Sequence, residues 1–426
     1  MNNEILNGVK LMETEKTDEI RVKGYNICKE YLNGAWGLIR PDEFIIKKLS
    51  GGLSNFLYYC ALPESQKPIG NEPSKVLMRI YGQDHSDMQM KFITECVIFT
   101  LLSENNRGPR LHGVFPGGRL EEYIPARPLT TDELADDNLS LVIADSIAEI
   151  HAMEVPISKE PRWLWGSIER NLQRDIGKRK AQIRAGKHET SHHWLRKLEN
   201  NRELLKVRKI LGTDLKEELR WLRNYLSKIH SPVVFCHNDL QEGNILKRTD
   251  VNENTQETKN LMIIDFEYCA YNYRGFDLAN HFCESMYDYT NEEGPYFWSK
   301  PENYPSIEKQ EKFVRRYLSK LNKTDVISDD EVDVVINEIR AYTLASHMYW
   351  AIWSVVNSVM TTIEFDYWNY GKARFNSYLN HKMAILQDEE EEEARLIAAE
   401  TVLQRTDGKD EIQISRTRAS SLIETN

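Results

Sequence analysis

Three short apolar runs govern what this chain can fold into: Pro232–Cys236, Ile245–Lys247 and Leu261–Ile264. Each reads as a strand, and none is long enough to build a large sheet. Between the first two lies the polar stretch His237-Asn238-Asp239-Leu240-Gln241-Glu242-Gly243-Asn244, and the third delivers Asp265-Phe266-Glu267. Such strands act as a frame for the loops between them. The spacing H-x-D-x-x-x-x-N, followed by a second Asp, suits phosphoryl transfer from ATP. One carboxylate orients the attacking hydroxyl and takes its proton. An Asn and a second Asp hold Mg²⁺ against the phosphates. Asp239, Asn244 and Asp265 supply these parts in chain order. Either Asp alone would read as a turn residue. The pair in this order, each tied to a strand, reads as a phosphoryl-transfer site.

The rest of the chain divides around this region. At 426 residues it is long enough for two or three domains or one two-lobed unit. Residues 1–37 read as a polar, partly disordered lead-in. Residues 38–124 alternate as strands, with one inserted helix near 88–103 and a hairpin at Pro116-Gly117-Gly118. Thr130 and Glu133 form a capping box ahead of a helical segment reaching about Met153. Residues 125–386 are mostly helical. Residues 387–426 open on the acidic run Asp388–Glu393 and are expected to be a disordered tail after Arg405. The fold class expected is α+β, with a small antiparallel-sheet lobe and a larger helix-rich lobe.

Composition excludes several classes. With 55 Lys and Arg against 66 Asp and Glu the net charge is −11, which disfavours nucleic acid as a partner. The 6 cysteines include no C-x-x-C pair, which speaks against a disulfide scaffold or a common zinc motif. Ala341–Ile363 holds no charged residue, yet it carries Thr343, Ser346, His347, Ser354, Asn357, Ser358, Thr361 and Thr362. That polar load reads as a buried helix and not as a membrane span.

The motifs H-x-D-x-x-x-x-N and I-D-F-E resemble those of protein kinases and of small-molecule kinases of the aminoglycoside and choline type. Asn238 stands where protein kinases carry Arg, Glu267 stands where D-F-G has Gly, and no A-P-E segment follows. A small-molecule acceptor is therefore favoured. The stretches HNDLQEGNIL and IDFEYCAYNYRGFDLANHFCE look like the choline/ethanolamine kinase family, on its choline side, and the resemblance spans about 39–381.

The resemblance implies a protein-kinase-like fold and transfer of the ATP γ-phosphate to choline, giving phosphocholine for phosphatidylcholine synthesis. It implies a cytoplasmic homodimer. By it, Asp239 is the base, with Gln241 near the transferred phosphate, and Asn244 and Asp265 bind Mg²⁺. Glu267 either assists them or is structural. The loop Ser50-Gly51-Gly52-Leu53-Ser54-Asn55 cradles phosphates through backbone N–H groups. Arg79 contacts phosphate and is held by an ion pair with Glu95. Glu121-Glu122-Tyr123-Ile124 form the hinge whose backbone, at Glu122 and Ile124, takes the adenine edge.

Choline's quaternary ammonium cannot donate a hydrogen bond, so ring faces must recognise it. Trp350 and Trp353, three apart, share a helix face. With Tyr268, Tyr289, Phe365 and Tyr370 they are the cage that the resemblance implies, and Glu284 adds a negative field. Ethanolamine kinase or dual activity is the nearest alternative. A non-catalytic pseudokinase and an aminoglycoside kinase stand further off.

Overall fold

The structure, a computed structural model, describes residues 18–49, 55–81, 88–171, 214–250, 260–360 and 365–421. Helix α1 (18–32) and a 3-10 turn at Gly34–Gly37 lead into five strands: β1 Ile45–Lys48, β2 Asn55–Ala61, β3 Lys75–Tyr81, β4 Leu111–Phe115 and β5 Gly118–Glu122. Helix α2, Met88–Glu104, is inserted between β3 and β4. The sheet runs β1-β2-β3-β5-β4 and is antiparallel throughout. The expected hairpin closes at Gly117, whose φ of +84° suits a residue without a Cβ.

Alternation along β3 decides which face is covered. Val76 and Met78 are buried on one side, with Phe44, Cys60 and Leu120. Tyr25 and Cys28 of α1, three apart on one helix face, and Trp36 complete this core. The Trp36 indole N–H donates to Pro73 O at 2.8 Å. Residues 18–37 thus belong to the N-terminal lobe, which corrects the expected solvated lead-in. Ala35 is buried in the same core, and Ile20, Ile27, Tyr31 and Leu32 pack partly against it, which docks the segment.

The second lobe opens with β6 (Ala126–Pro128), α3 (Thr131–Leu134), α4 (Asp137–His151), α5 (Trp163–Asn171) and α6 (Leu215–Leu226). The single helix expected from Thr130 is split. Thr130 and Glu133 form the capping box of α3, but Asp136 caps a new helix by accepting from Asn138 N and Leu139 N. Next come β7 (Val233–Cys236), β8 (Ile245–Arg248), β9 (Leu261–Ile263), β10 (Ala270–Tyr273) and α7 (Arg274–Glu284). The short pair β11 (Tyr287–Asp288) and β12 (Trp298–Ser299) follows, then α8 (Ile307–Asn322), α9 (Asp329–Met360) and α10 (Tyr367–Ser421). β7 pairs with β10, and β8 joins β6 to β9. Thr249 N and Oγ1 both donate to Pro125 O, at 2.8 and 3.0 Å, strapping the lobe crossing to β8.

The charge-free run lies in α9 as far as Met360, packed between α7 and α10, and Thr361 to Ile363 lie outside the described residues. Its polar groups are used internally: Ser346 Oγ donates to Asn280 Oδ1 at 2.8 Å, and Thr343 Oγ1 to Ile339 O at 2.9 Å. Among the described residues no helix is long and apolar enough to cross a membrane. The expectation of disorder after Arg405 also differs from the structure, where the backbone is helical through Ser421. The acidic run and the Ala, Leu, Arg and Glu residues after it are good helix formers. The stretch from Asp388 to Ile397 is exposed.

Candidate active site

β7 and β10 pair with Cys236 opposite Ala270, so the loop at 237–244 and the turn at 264–268 emerge side by side. Ile264 N donates to Asn244 O at 3.0 Å, and His237 Nε2 donates to Ile264 O at the same distance. The loop is pinned from below by Asp277 on α7. Its buried carboxylate accepts from His237 N at 2.8 Å and Asn238 N at 2.7 Å. His151 Nε2 donates to the same group at 3.0 Å and accepts at Nδ1 from Tyr317 Oη at 2.9 Å. Burial alone would raise the Asp277 pKa, but these donors outweigh it and hold it below the usual carboxylate value. Asn238 takes φ +67°, and its side chain is clamped between Tyr268 O and Asn272 Nδ2. Asp265 takes φ +64°. Such backbone is costly outside glycine, though Asn and Asp tolerate it best. Phe266 beside it is buried with Ile98, Phe99 and Leu102 of α2, which fixes the turn.

Asp239 stands at the mouth of this frame. Asn244 Nδ2 donates to its backbone oxygen at 2.7 Å and to its Oδ2 at 3.2 Å. Burial, then the charges of Glu284, Asp265 and Glu267, push the Asp239 pKa well up. A cation among these carboxylates would relieve that repulsion. Asp265 and Glu267 offer hard carboxylate oxygens, and Asn244, with its nitrogen engaged, offers Oδ1. This donor set fits Mg²⁺.

In the N-terminal lobe the expected ion pair is rearranged. Arg79 does not pair with Glu95: its Nε donates to Glu121 Oε1 at 2.6 Å, and its Nη1 lies 4.0 Å from Asp265 Oδ1. Glu95 instead takes Arg119 Nη1 at 2.5 Å. Arg79 and Arg119 are directly opposite on β3 and β5 and share Glu121. Burial would raise the Glu121 pKa, but the two guanidiniums pull it below the ordinary value. Arg119 also stacks 4.2 Å from the Phe99 centroid. One arginine is thereby a support, and the other reaches toward the cleft. Glu122 N donates to Arg110 O at 2.8 Å, and its Oε2 accepts from Arg110 N, which takes that N–H out of the expected adenine contact. Ile124 is buried at the lobe crossing. Ser50 to Ser54 lie outside the described residues, and Asn55 begins β2. Gln241 lines the cleft, with Oε1 capping the next turn at Gly243 N, 3.1 Å away.

All six expected cage residues line one cavity of about 520 Å³ together with Asp239, Asn244, Asp265 and Glu267. Trp350 and Trp353 lie 5.2 Å apart at 75°, and Tyr268 lies 5.9 Å from Trp350. Trp353 Nε1 donates to Tyr268 Oη at 3.1 Å, and Trp350 Nε1 to Asn280 Oδ1 at 2.7 Å. With both indole N–H groups tied back, the rings are set by the surrounding packing. Phe365 lies 5.5 Å from Tyr370 and 6.5 Å from Tyr289. Tyr367, not singled out in the sequence, joins the wall. Glu284 faces the cavity and is paired with buried Arg374, which offsets part of its expected negative field, while what remains still acts on Asp239.

Asp277, Arg119 and Arg374 are not singled out by the sequence, and Glu121, expected in the hinge, instead holds the two arginines. Asp277 has a signal, a carboxylate set between Phe276 and Leu278 in an apolar stretch. Arg374 has none that separates it from Lys372 on the same helix.

A small antiparallel lobe strapped to a helical lobe, with Asp239, Asn244 and Asp265 converging in the cleft, defines a protein-kinase-like phosphotransferase. A family model described as Choline/ethanolamine kinase matches residues 46–379. The chain belongs to the choline/ethanolamine kinase family. It is 43% identical over 365 residues to a Rattus norvegicus protein named choline/ethanolamine kinase, covering 84% of this chain and 86% of the relative. It is 40% identical over 397 residues to choline kinase alpha of Mus musculus, covering 87% and 83%. A crystal structure of choline kinase from Cryptosporidium parvum superposes with a TM-score of 0.62 at 29% identity, covering 86% of this chain and 96% of that one.

Proposed function

We propose that the chain transfers the γ-phosphoryl group of ATP to the hydroxyl of choline, giving phosphocholine and ADP. The observation that carries this is the shared cavity: six aromatic side chains enclose the space in front of Asp239. Ring faces at about 0.5–2 kcal/mol each bind a trimethylammonium group without any hydrogen bond. The hydroxyl end of such a cation then reaches Asp239. Asp239 takes the hydroxyl proton as the new O–P bond forms and the bond to the β–γ bridging oxygen breaks. Asn244 orients Asp239 through the two bonds from its side-chain nitrogen. Arg79 and Gln241 face the phosphates.

Asn244, Asp265 and Glu267 would hold Mg²⁺, which when bound offsets the phosphate charge and polarises the transferred group. The family resemblance supports a cytoplasmic homodimer, and sedimentation of the purified chain tests the dimer. Ethanolamine is the second acceptor to try, because the name of the rat relative carries both substrates.

ADP release with choline and with ethanolamine, for wild type, Trp350→Ala and Trp353→Ala, tests the reading. Each substitution is expected to raise the choline KM about 2- to 30-fold. Unchanged choline KM in both variants sinks the cage.

A further inference from the structure

Two of the cage tyrosines are held from behind by a closed ring of polar contacts. Tyr289 Oη donates to Glu284 Oε2 at 2.9 Å, and Tyr370 Oη meets Tyr289 Oη at 2.8 Å. Arg374 Nε donates to Tyr370 Oη at 2.9 Å, and Arg374 Nη2 closes the ring on Glu284 Oε1. The guanidinium lies 3.9 Å from the Tyr287 centroid. Its remaining nitrogen, Nη1, is buried and has no hydrogen-bond partner among the described residues. Arg374 is 0% exposed and Glu284 2%.

A buried ion pair of this kind adds little stability over apolar side chains of the same volume. Its consequence here is for recognition. Glu284 lines the cavity, yet both its oxygens are engaged. A quaternary ammonium loses only field strength by this, because it has no N–H to donate. A primary ammonium has three N–H groups and loses field strength and, in addition, much of the acceptor capacity of a carboxylate already engaged by a guanidinium and a phenol.

We propose that Arg374 sets the acceptor preference of the cavity, by occupying Glu284 and by holding Tyr370 and Tyr289 with their ring faces in place. The proposal rests on the reading of this cavity as the choline site. Arg374 touches no substrate and acts through Glu284 and the two tyrosines, so it is a positioning residue.

The experiment is steady-state kinetics of the full chain with choline and with ethanolamine at saturating MgATP, reading the ratio of the two kcat/KM values. Arg374→Met leaves Glu284 available, and the ethanolamine-to-choline ratio should rise about tenfold or more, through KM and not kcat. Arg374→Lys keeps a cation against Glu284 but cannot also reach Tyr370. Its ratio should stay within about threefold of wild type while the choline KM rises. Removing both charges, in Arg374→Met with Glu284→Gln, should bring the ratio well below that of Arg374→Met alone while the choline KM stays raised. Glu284→Gln alone leaves Arg374 unpaired beside the cavity and should weaken both acceptors alike. That variant keeps the test open should Arg374→Met fail to fold.

An unmoved ratio in folded Arg374→Met overturns the proposal. So does a selective loss of ethanolamine in Glu284→Gln, which would mean Glu284 already serves the ammonium in the wild type. Wild type that turns over neither acceptor would refute the acceptor reading itself, a different outcome from either of these.

Discussion

Replacing Asp277 by Asn tests how the fold places its base. The carboxylate now accepts from His237 N, Asn238 N and His151 Nε2 at 2.8, 2.7 and 3.0 Å. An amide of the same size has one oxygen. If that oxygen serves His237 N and His151, its NH₂ is turned toward Asn238 N–H, donor against donor. One buried N–H is then left unmade, which costs about 1–3 kcal/mol, and the bonds that remain lose their charge assistance. A total loss of about 2–4 kcal/mol in stability follows. The bond from Asp277 anchors the backbone of Asn238 in its strained φ, so Asp239 should lose its position as well. The expected result is that kcat falls about 100-fold or more, while the ATP KM, which depends on Arg79 of the other lobe as well as on Asn244 and Gln241 of this loop, changes far less. Urea unfolding and initial-rate kinetics of the same preparation measure both. A variant with wild-type kcat and less than about 0.5 kcal/mol of destabilisation would refute the claim that α7 positions the loop.

Two further predictions concern stability. Burial holds His281 at about 4 against an ordinary 6.5, so below pH 6.5 the unfolded chain binds a proton that the native state refuses. The contribution is whole above pH 6.5 and is lost as pH falls toward 4, by about 3 kcal/mol. His281→Asn, which keeps a donor for Leu240 O, should flatten the urea midpoint over that range, and an unchanged slope would count against it. Arg119→Met leaves Glu95 and Glu121 short of their shared cation and should cost about 3–5 kcal/mol in thermal or urea unfolding. Arg79→Met leaves Glu121 its partner Arg119, so it should cost less than Arg119→Met and instead raise the ATP KM. Equal destabilisation by both would contradict the division of labour drawn between them.

The parts of this fold that were legible in sequence are those fixed by local spacing. His237 to Asn244 and Ile264 to Glu267 carry their chemistry in consecutive residues on short strands, and Pro116-Gly117-Gly118 carries its own turn. The cage was half legible. Trp350 and Trp353 share a helix face by period, but Tyr289 and Phe365 meet only through the packing of α7 and α10 against α9. Pairings between strands were not legible. Arg79 and Arg119 are 40 residues apart in number yet opposite in the sheet, and that register decides which of them Glu95 holds. The lead-in was not legible because its four buried residues, Tyr25, Cys28, Ala35 and Trp36, are divided between a helix and a 3-10 turn and stand among Lys, Glu and Asn. The tail was misread because charge density argues for disorder while the same Glu, Ala and Arg residues have high helix propensity.

The central claim is that Asp239 is the base in a cleft that delivers choline to ATP. Asp239→Asn tests it most directly, assayed by ADP release with choline and by equilibrium titration of ATP. The account predicts a fall in kcat of about 10³-fold with nucleotide affinity within about twofold of wild type. A variant that keeps a tenth or more of the wild-type rate, with ATP bound equally well, would contradict it.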